Sequence, residues 1–303
     1  VRQFVCPQPA RAHSLGRYGQ YQKIIKKMRK SIILLLIGLI TMGLFGFKKQ
    51  EKKSEFMSNK PLLGMILLSD TNSMKIKDVV EELRRKWKLN VDDKEAGDET
   101  SIIVIDGYNI AIAQISVPIP GDEIEIAAKY NYFWENGVDE ATKHKGHIIL
   151  SILNSGKNPI KENILFNEVA ASILGNSNSL GVYIGGRSLL LKKDFYLANT
   201  EMMTNEDFPL FNWVYFGMRH ENEKNSIYTY GLADFNKKEM EIVNSTHSLK
   251  ELRELIFNLA HYVILSDVTL KAGETIGVTE NQKLKITESK GKYLDGKTLK
   301  IDY

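Results

Sequence analysis

His144 and His147, in His144-Lys145-Gly146-His147, are the side chains of this sequence best suited to chemistry near neutral pH. An imidazole titrates there, so it serves as general acid or base, and its ring nitrogens ligate metals. The spacing works against a shared metal ion, because positions i and i+3 of a strand point to opposite faces. The reading adopted is that one histidine caps the preceding turn and the other is a strand residue. A hydrolase using His144 or His147 as acid/base or metal ligand is the alternative. The segment Gly181-Val182-Tyr183-Ile184-Gly185-Gly186-Arg187 has glycines after a strand but not the spacing or the Lys-Ser/Thr of a phosphate-binding loop, and it reads as a tight turn. There is no G-x-G-x-x-G, G-x-S-x-G or H-E-x-x-H. His261 sits at the edge of an apolar helix stripe, and Trp87, Trp134 and Trp213 read as core. No cofactor-binding or metal-ligating set is expected.

The elements that must position these residues follow from periodicity. Leu62 to Leu68 is a continuous apolar run, the mark of a buried strand. Ile76, Val79, Val80, Leu83 and Trp87 share one helix face, with Asn72 or Ser73 as cap. Ser101 to Ile105 and Tyr108 to Val117 form a hairpin about Asp106-Gly107, and Pro118 to Gly121 breaks the sheet. A helix with an aromatic end follows (Ile124 to Trp134), then a strand from His147 to Leu153. Asn158-Pro159 starts a helix that runs to Leu174, with Gly175 after it. Leu180 to Ile184 is a strand. Phe211 to Arg219 and Ser226 to Leu232 alternate as a second hairpin. Ser248-Leu249-Lys250-Glu251 is a capping box opening the last helix. The prediction is α+β: one domain with helices packed on a mixed, largely antiparallel sheet.

Composition narrows the function classes. Of 303 residues, 43% are hydrophobic and one is cysteine, which excludes a disordered chain and a disulfide scaffold. The net charge of +4 is misleading. Residues 1–41 hold eight basic side chains and no acid, and the other 33 basic residues against 37 acids leave −4. The body therefore has no basic excess for nucleic acid, and none is expected as a partner. Two readings of the N-terminal segment stand open. Ile32 to Phe47, between Lys30 and Lys48, is a membrane anchor at the lower length limit, and a membrane partner is expected only if that segment is translated. Otherwise translation starts at Met42, which places residues 1–41 upstream of the true start. The expected organisation is a leader over 1–41, a charged tether over 42–60 and an α+β domain over 61–303.

The ordered pieces resemble a bacterial family catalogued as a domain of unknown function. The similar stretches are Gly107 to Pro120, His144 to His147, Leu180 to Gly186 and Phe208 to Phe216. The most specific lie further on: Tyr228-Thr229-Tyr230-Gly231-Leu232-Ala233-Asp234-Phe235, Glu239-Met240-Glu241-Ile242, the capped helix, and Leu270 to Gly277. The resemblance spans roughly 62 to 287 and implies no activity, cofactor or catalytic residue. Members tend to start with a leader like Met42 to Lys53, which favours the later start. The resulting expectation is a cytoplasmic, non-enzymatic adaptor or immunity-like domain with an unknown protein partner. A membrane-tethered version of the same domain is the further alternative.

Overall fold

The computed structural model describes residues 61–71, 74–94, 96–97, 100–204, 207–279 and 282–303. The leader, the tether and the cap candidates Asn72 and Ser73 lie outside these. The described residues form an α+β fold with two sheets, both largely antiparallel.

The first sheet contains β1 (Leu62–Leu68), β2 (Val91–Asp92), β3 (Thr100–Ile105), β4 (Tyr108–Ile115), β5 (Gly146–Ile152), β6 (Ser179–Ile184) and β7 (Leu189–Lys192), in the order 2-3-4-5-1-6-7. β1 lies between β5 and β6, antiparallel to both. That interior place explains its unbroken apolar run: Met65 to Leu68 are all buried. The turn between β3 and β4 has Asp106 at φ 49° and Gly107 at φ 79°, the pair of positive values that a type I′ turn requires.

Helices cover both faces of this sheet. On one, α1 (Ile76–Arg85), α4 (Pro159–Gly175) and α5 (Lys193–Glu201) bring Val79, Leu83, Phe166, Val169 and Tyr196 against Ile66, Ile110, Ile148 and Val182. On the other lies the long β4–β5 connection, residues 116–145, which carries α2 (Glu123–Lys129) and α3 (Gly137–Ala141). Trp134 of this connection packs over Gly181. A Cβ at Gly181 would stand 2.2 Å from the Leu191 carbonyl and 2.9 Å from the Trp134 ring, so glycine is required by the close approach of β7. The aromatic end expected of the helix is not helical. α2 stops at Lys129, and Tyr130 to Trp134 turn back toward β7.

The chain then passes through α5 and α6 (Leu210–Trp213) into a second sheet, where a single sheet was expected. It contains β8 (Tyr215–Glu221), β9 (Lys224–Tyr230), β10 (Met240–Ser245), β11 (Thr275–Thr279), β12 (Gln282–Lys290) and β13 (Lys297–Ile301), in the order 11-12-13-10-9-8. β10 and β13 are parallel, and the other pairs are antiparallel. α7 (Leu249–Leu265) covers this sheet's apolar face and closes a second core from Phe216, Ile227, Met240, Leu252, Ile256 and Leu299. The two sheets close two separate apolar cores, each with helices of its own. The α7 capping box is present: Glu251 N–H donates to Ser248 Oγ (3.3 Å) and Ser248 N–H to Glu251 Oε2 (2.8 Å). Among the described residues no helix is long and apolar enough to cross a membrane; the anchor candidate Ile32 to Phe47 lies outside them.

Candidate functional site

His144 lies at the end of the β4–β5 connection and His147 at the start of β5, and both bond to the connection's first residues. His144 donates from Nδ1 to the Ala141 carbonyl (2.8 Å), and its Nε2 accepts from Ile119 N–H (2.8 Å). Both ring nitrogens are thus committed to main chain, which fixes the neutral Nδ1–H tautomer. His147, at the start of β5, donates from Nδ1 to the Val117 carbonyl (2.9 Å). Burial lowers both pKa values from the usual histidine range; the main-chain bonds oppose this, and His144 adds a repulsive contribution at His147. His144 would have to surrender a main-chain hydrogen bond before taking a proton, and either histidine before using Nδ1 as a metal ligand. Among the described residues no group of three His, Cys, Asp or Glu side chains is arranged to hold a metal. His261 faces Asp207 at 3.6 Å and packs near Phe208.

The Gly185-Gly186-Arg187 turn is a single 3-10 turn, and its arginine is the centre that sequence reasoning missed. Arg187 is 2% exposed. Its Nε donates to Asp234 Oδ2 (2.7 Å), and its Nη1 donates to Asn163 Oδ1 (2.8 Å) and the Trp213 carbonyl (3.1 Å). The guanidinium carbon lies 5.5 Å from the Phe235 ring centroid. One side chain from the first sheet thereby binds α4, the end of α6 and the β9–β10 turn of the second sheet. Beside it, Asn167 donates to Thr200 Oγ1 (2.9 Å), and Asn212 donates to Asn167 Oδ1 (3.0 Å) and the Tyr196 carbonyl (3.1 Å). A signal was available: Asn163 and Asn167 stand at i and i+4 within an otherwise apolar stretch of α4.

Two further carboxylates turn inward near the second sheet. Glu239 accepts from Thr229 Oγ1 (2.7 Å) and from the Gly231 (2.8 Å) and Ala233 (3.2 Å) N–H groups. Burial pushes its pKa up against those bonds. Glu241, at 0% exposure, accepts from Lys300 Nζ (2.7 Å) and from the Lys292 (3.0 Å) and Tyr293 (3.1 Å) N–H groups. Glu239 fastens the β9–β10 turn, and Glu241 ties the β12–β13 turn to β10.

Between β7 and β8 runs a seam of aromatic rings. Phe133 stacks on Phe195 (4.4 Å between centroids) and meets Phe211 edge-on (5.0 Å). Phe211 contacts Phe216 (5.6 Å) and Phe257 (4.7 Å). A cavity of about 20 Å³ lies here, lined by Asn131 to Phe133, Ser188 to Leu191 and Val214 to Phe216 among others, with room for one water-sized molecule. Burial pushes the Tyr132 hydroxyl pKa well up. Next to the seam β8 ends its sheet: among the described residues no strand pairs with its outer edge. The β8–β9 turn is the dipeptide Asn222-Glu223, closed by the pair Glu221↔Lys224. Bonded pairs alternate along an antiparallel ladder, so the main-chain groups of Phe216, Met218 and His220 point outward.

The fold is α+β, and His144, Arg187, Glu239 and Glu241 all bond to the protein's own main chain or side chains. Residues 228–302 match the family described as a domain of unknown function (DUF4261). The match begins within β9 and holds Glu239, Glu241 and α7, which are the stretches most specific to the resemblance. Gly107 to Pro120, His144 to His147, Leu180 to Gly186 and Phe208 to Phe216 lie outside it. No curated protein and no solved structure matches this chain.

Proposed function

We propose that this is a non-enzymatic, cytoplasmic protein-binding domain of the adaptor or immunity-like kind. Its partner supplies an extended segment that pairs with the outer edge of β8. The observation that carries this reading is the seven-residue β8 edge, with no strand on it among the described residues, beside partly buried Phe211 and Phe257. An outward row of N–H and C=O groups is a template for an added strand, and aromatic side chains beside it supply anchoring contacts. The engagement of His144 and His147 with main chain supports the non-catalytic part of the reading.

The test is a pull-down from the native host with the tagged full chain and with two edge-blocking variants, His220→Pro and Met218→Pro. Each removes an outward N–H while sparing the main-chain bonds to β9, although His220→Pro also loses the bond between His220 Nδ1 and Asn225 Oδ1 (2.8 Å), which Met218→Pro keeps. The expected result is one stoichiometric protein partner with the parent chain and its loss with folded variants. Equal capture by folded variants, or a partner-free parent chain, contradicts the reading.

A further inference from the structure

The β4–β5 connection is a strap laid over one face of the first sheet, and His144 at its end and His147 in β5 fasten its beginning. Val117 and Ile119 open the strap, and Ala141 closes α3 near its end. His147 Nδ1 holds the Val117 carbonyl, while His144 bridges the Ile119 N–H and the Ala141 carbonyl. Further along, the strap is fixed by bonds that do not involve histidine. Tyr183 Oη donates to Glu123 (3.2 Å), Lys192 Nζ donates to Glu140 (2.9 Å), and Asn131 Nδ2 donates to the Leu190 carbonyl.

We propose that the His144–His147 pair is an acid-sensitive latch: protonation releases residues 116–121 from the sheet while the second sheet stays folded. At His144 the chemistry is direct. Nε2 accepts from Ile119 N–H, and a proton on that nitrogen sets N–H against N–H and abolishes the bond. The second histidine charges in the same buried place, so the two cations repel.

The surrounding charges do not compensate. Neither ring meets a carboxylate within ion-pair distance among the described residues. On the neighbouring elements, Glu140 of α3 is bonded to Trp134 and Lys192, and Glu123 of α2 to Tyr183. Asp70 beyond β1 accepts from Asn178 (2.6 Å). Asp122 of the strap also has a partner of its own, and Asp139 is exposed. Lys143, before the pair, and Lys145, between its two members, are exposed cations and oppose further positive charge. β4 reaches the pair through uncharged Ile115, opposite His147. Burial already lowers both pKa values. The sign follows: the neutral rings belong to the fold, so the latch is intact above the ordinary histidine value of 6.5 and weakens as pH falls below it.

Amide hydrogen exchange of the full chain, corrected for intrinsic rates and read at about pH 7.5 and pH 5, tests this. The expected result is a fall of about tenfold or more in Ile119 protection at the lower pH, with α7 and β10 unchanged. His144→Gln keeps an acceptor for Ile119, and His147→Asn keeps a donor for Val117; together they should make Ile119 protection independent of pH. If the variants do not fold, histidine NMR titration of the parent chain replaces them, and the imidazole midpoints must coincide with the loss of Ile119 protection. Unchanged Ile119 protection at pH 5, a fall that survives in the variants, midpoints that do not coincide, or a simultaneous loss in α7 overturns the proposal.

Discussion

Arg187 joins three elements through one planar group, and no other side chain reproduces that. Arg187→Lys offers a single ammonium in place of a fork already committed to Asp234, Asn163 and the Trp213 carbonyl. Both Arg187→Lys and Arg187→Ala should lower stability by about 2–4 kcal/mol in urea unfolding, because hydrogen bonds to charged groups are the strong class and the buried Asn163 and Trp213 acceptors are left unmet, whereas exposed Asp234 can turn to water. A loss below about 0.5 kcal/mol for either, the scale of an ordinary surface change, would remove Arg187 from the centre of the account. Glu168 behaves differently. Burial raises its pKa to about 7, with Asp106 adding to the effect. A raised carboxyl contributes stability that is present below its unfolded value of 4.5 and lost as pH rises through about 7. Glu168→Gln should therefore be the more stable protein at about pH 8, and its gain should vanish near pH 5; equal stability of the two proteins at both pH values contradicts this. At this scale the sequence exposed the histidines but hid Arg187. A Gly-Gly-Arg turn carries no local sign that its arginine will be buried, because the Asp234, Asn163 and Trp213 partners come from distant segments.

Elements were legible where a local signal was complete. The Asp106-Gly107 hairpin, the Asn158-Pro159 start and the α7 capping box all stand where their residue types place them. Asn158 Oδ1 accepts from Lys161 N–H at 3.0 Å, as a cap should. The capping box gives a direct check: Ser248→Ala should cost about 1 kcal/mol in thermal or urea unfolding. No loss would mean that α7 is held by its apolar face alone. Elements were missed where the signal was short or depended on tertiary contact. β7 is only four residues, too brief for its apolar run to name a strand, and α5 has a weak apolar stripe. The Tyr130 to Trp134 aromatics suggested a continuing helix, yet their partners on β6, β7 and α6 pull them into a turn.

For the molecule as a whole, the class was legible and the division into two sheets was not. Alternation predicts strands and their faces, but it does not say which strands share a sheet. β8 therefore becomes an edge only in three dimensions, where its neighbour β9 lies on one side and no strand among the described residues lies on the other. We propose this edge as the place of binding. The most direct measurement is amide hydrogen exchange of the full chain alone and with the partner captured from the host, followed residue by residue along β8. New protection is expected at the outward amides of Phe216, Met218 and His220 in the complex. Protection gained elsewhere, with those three amides exchanging as they do in the free protein, would contradict it.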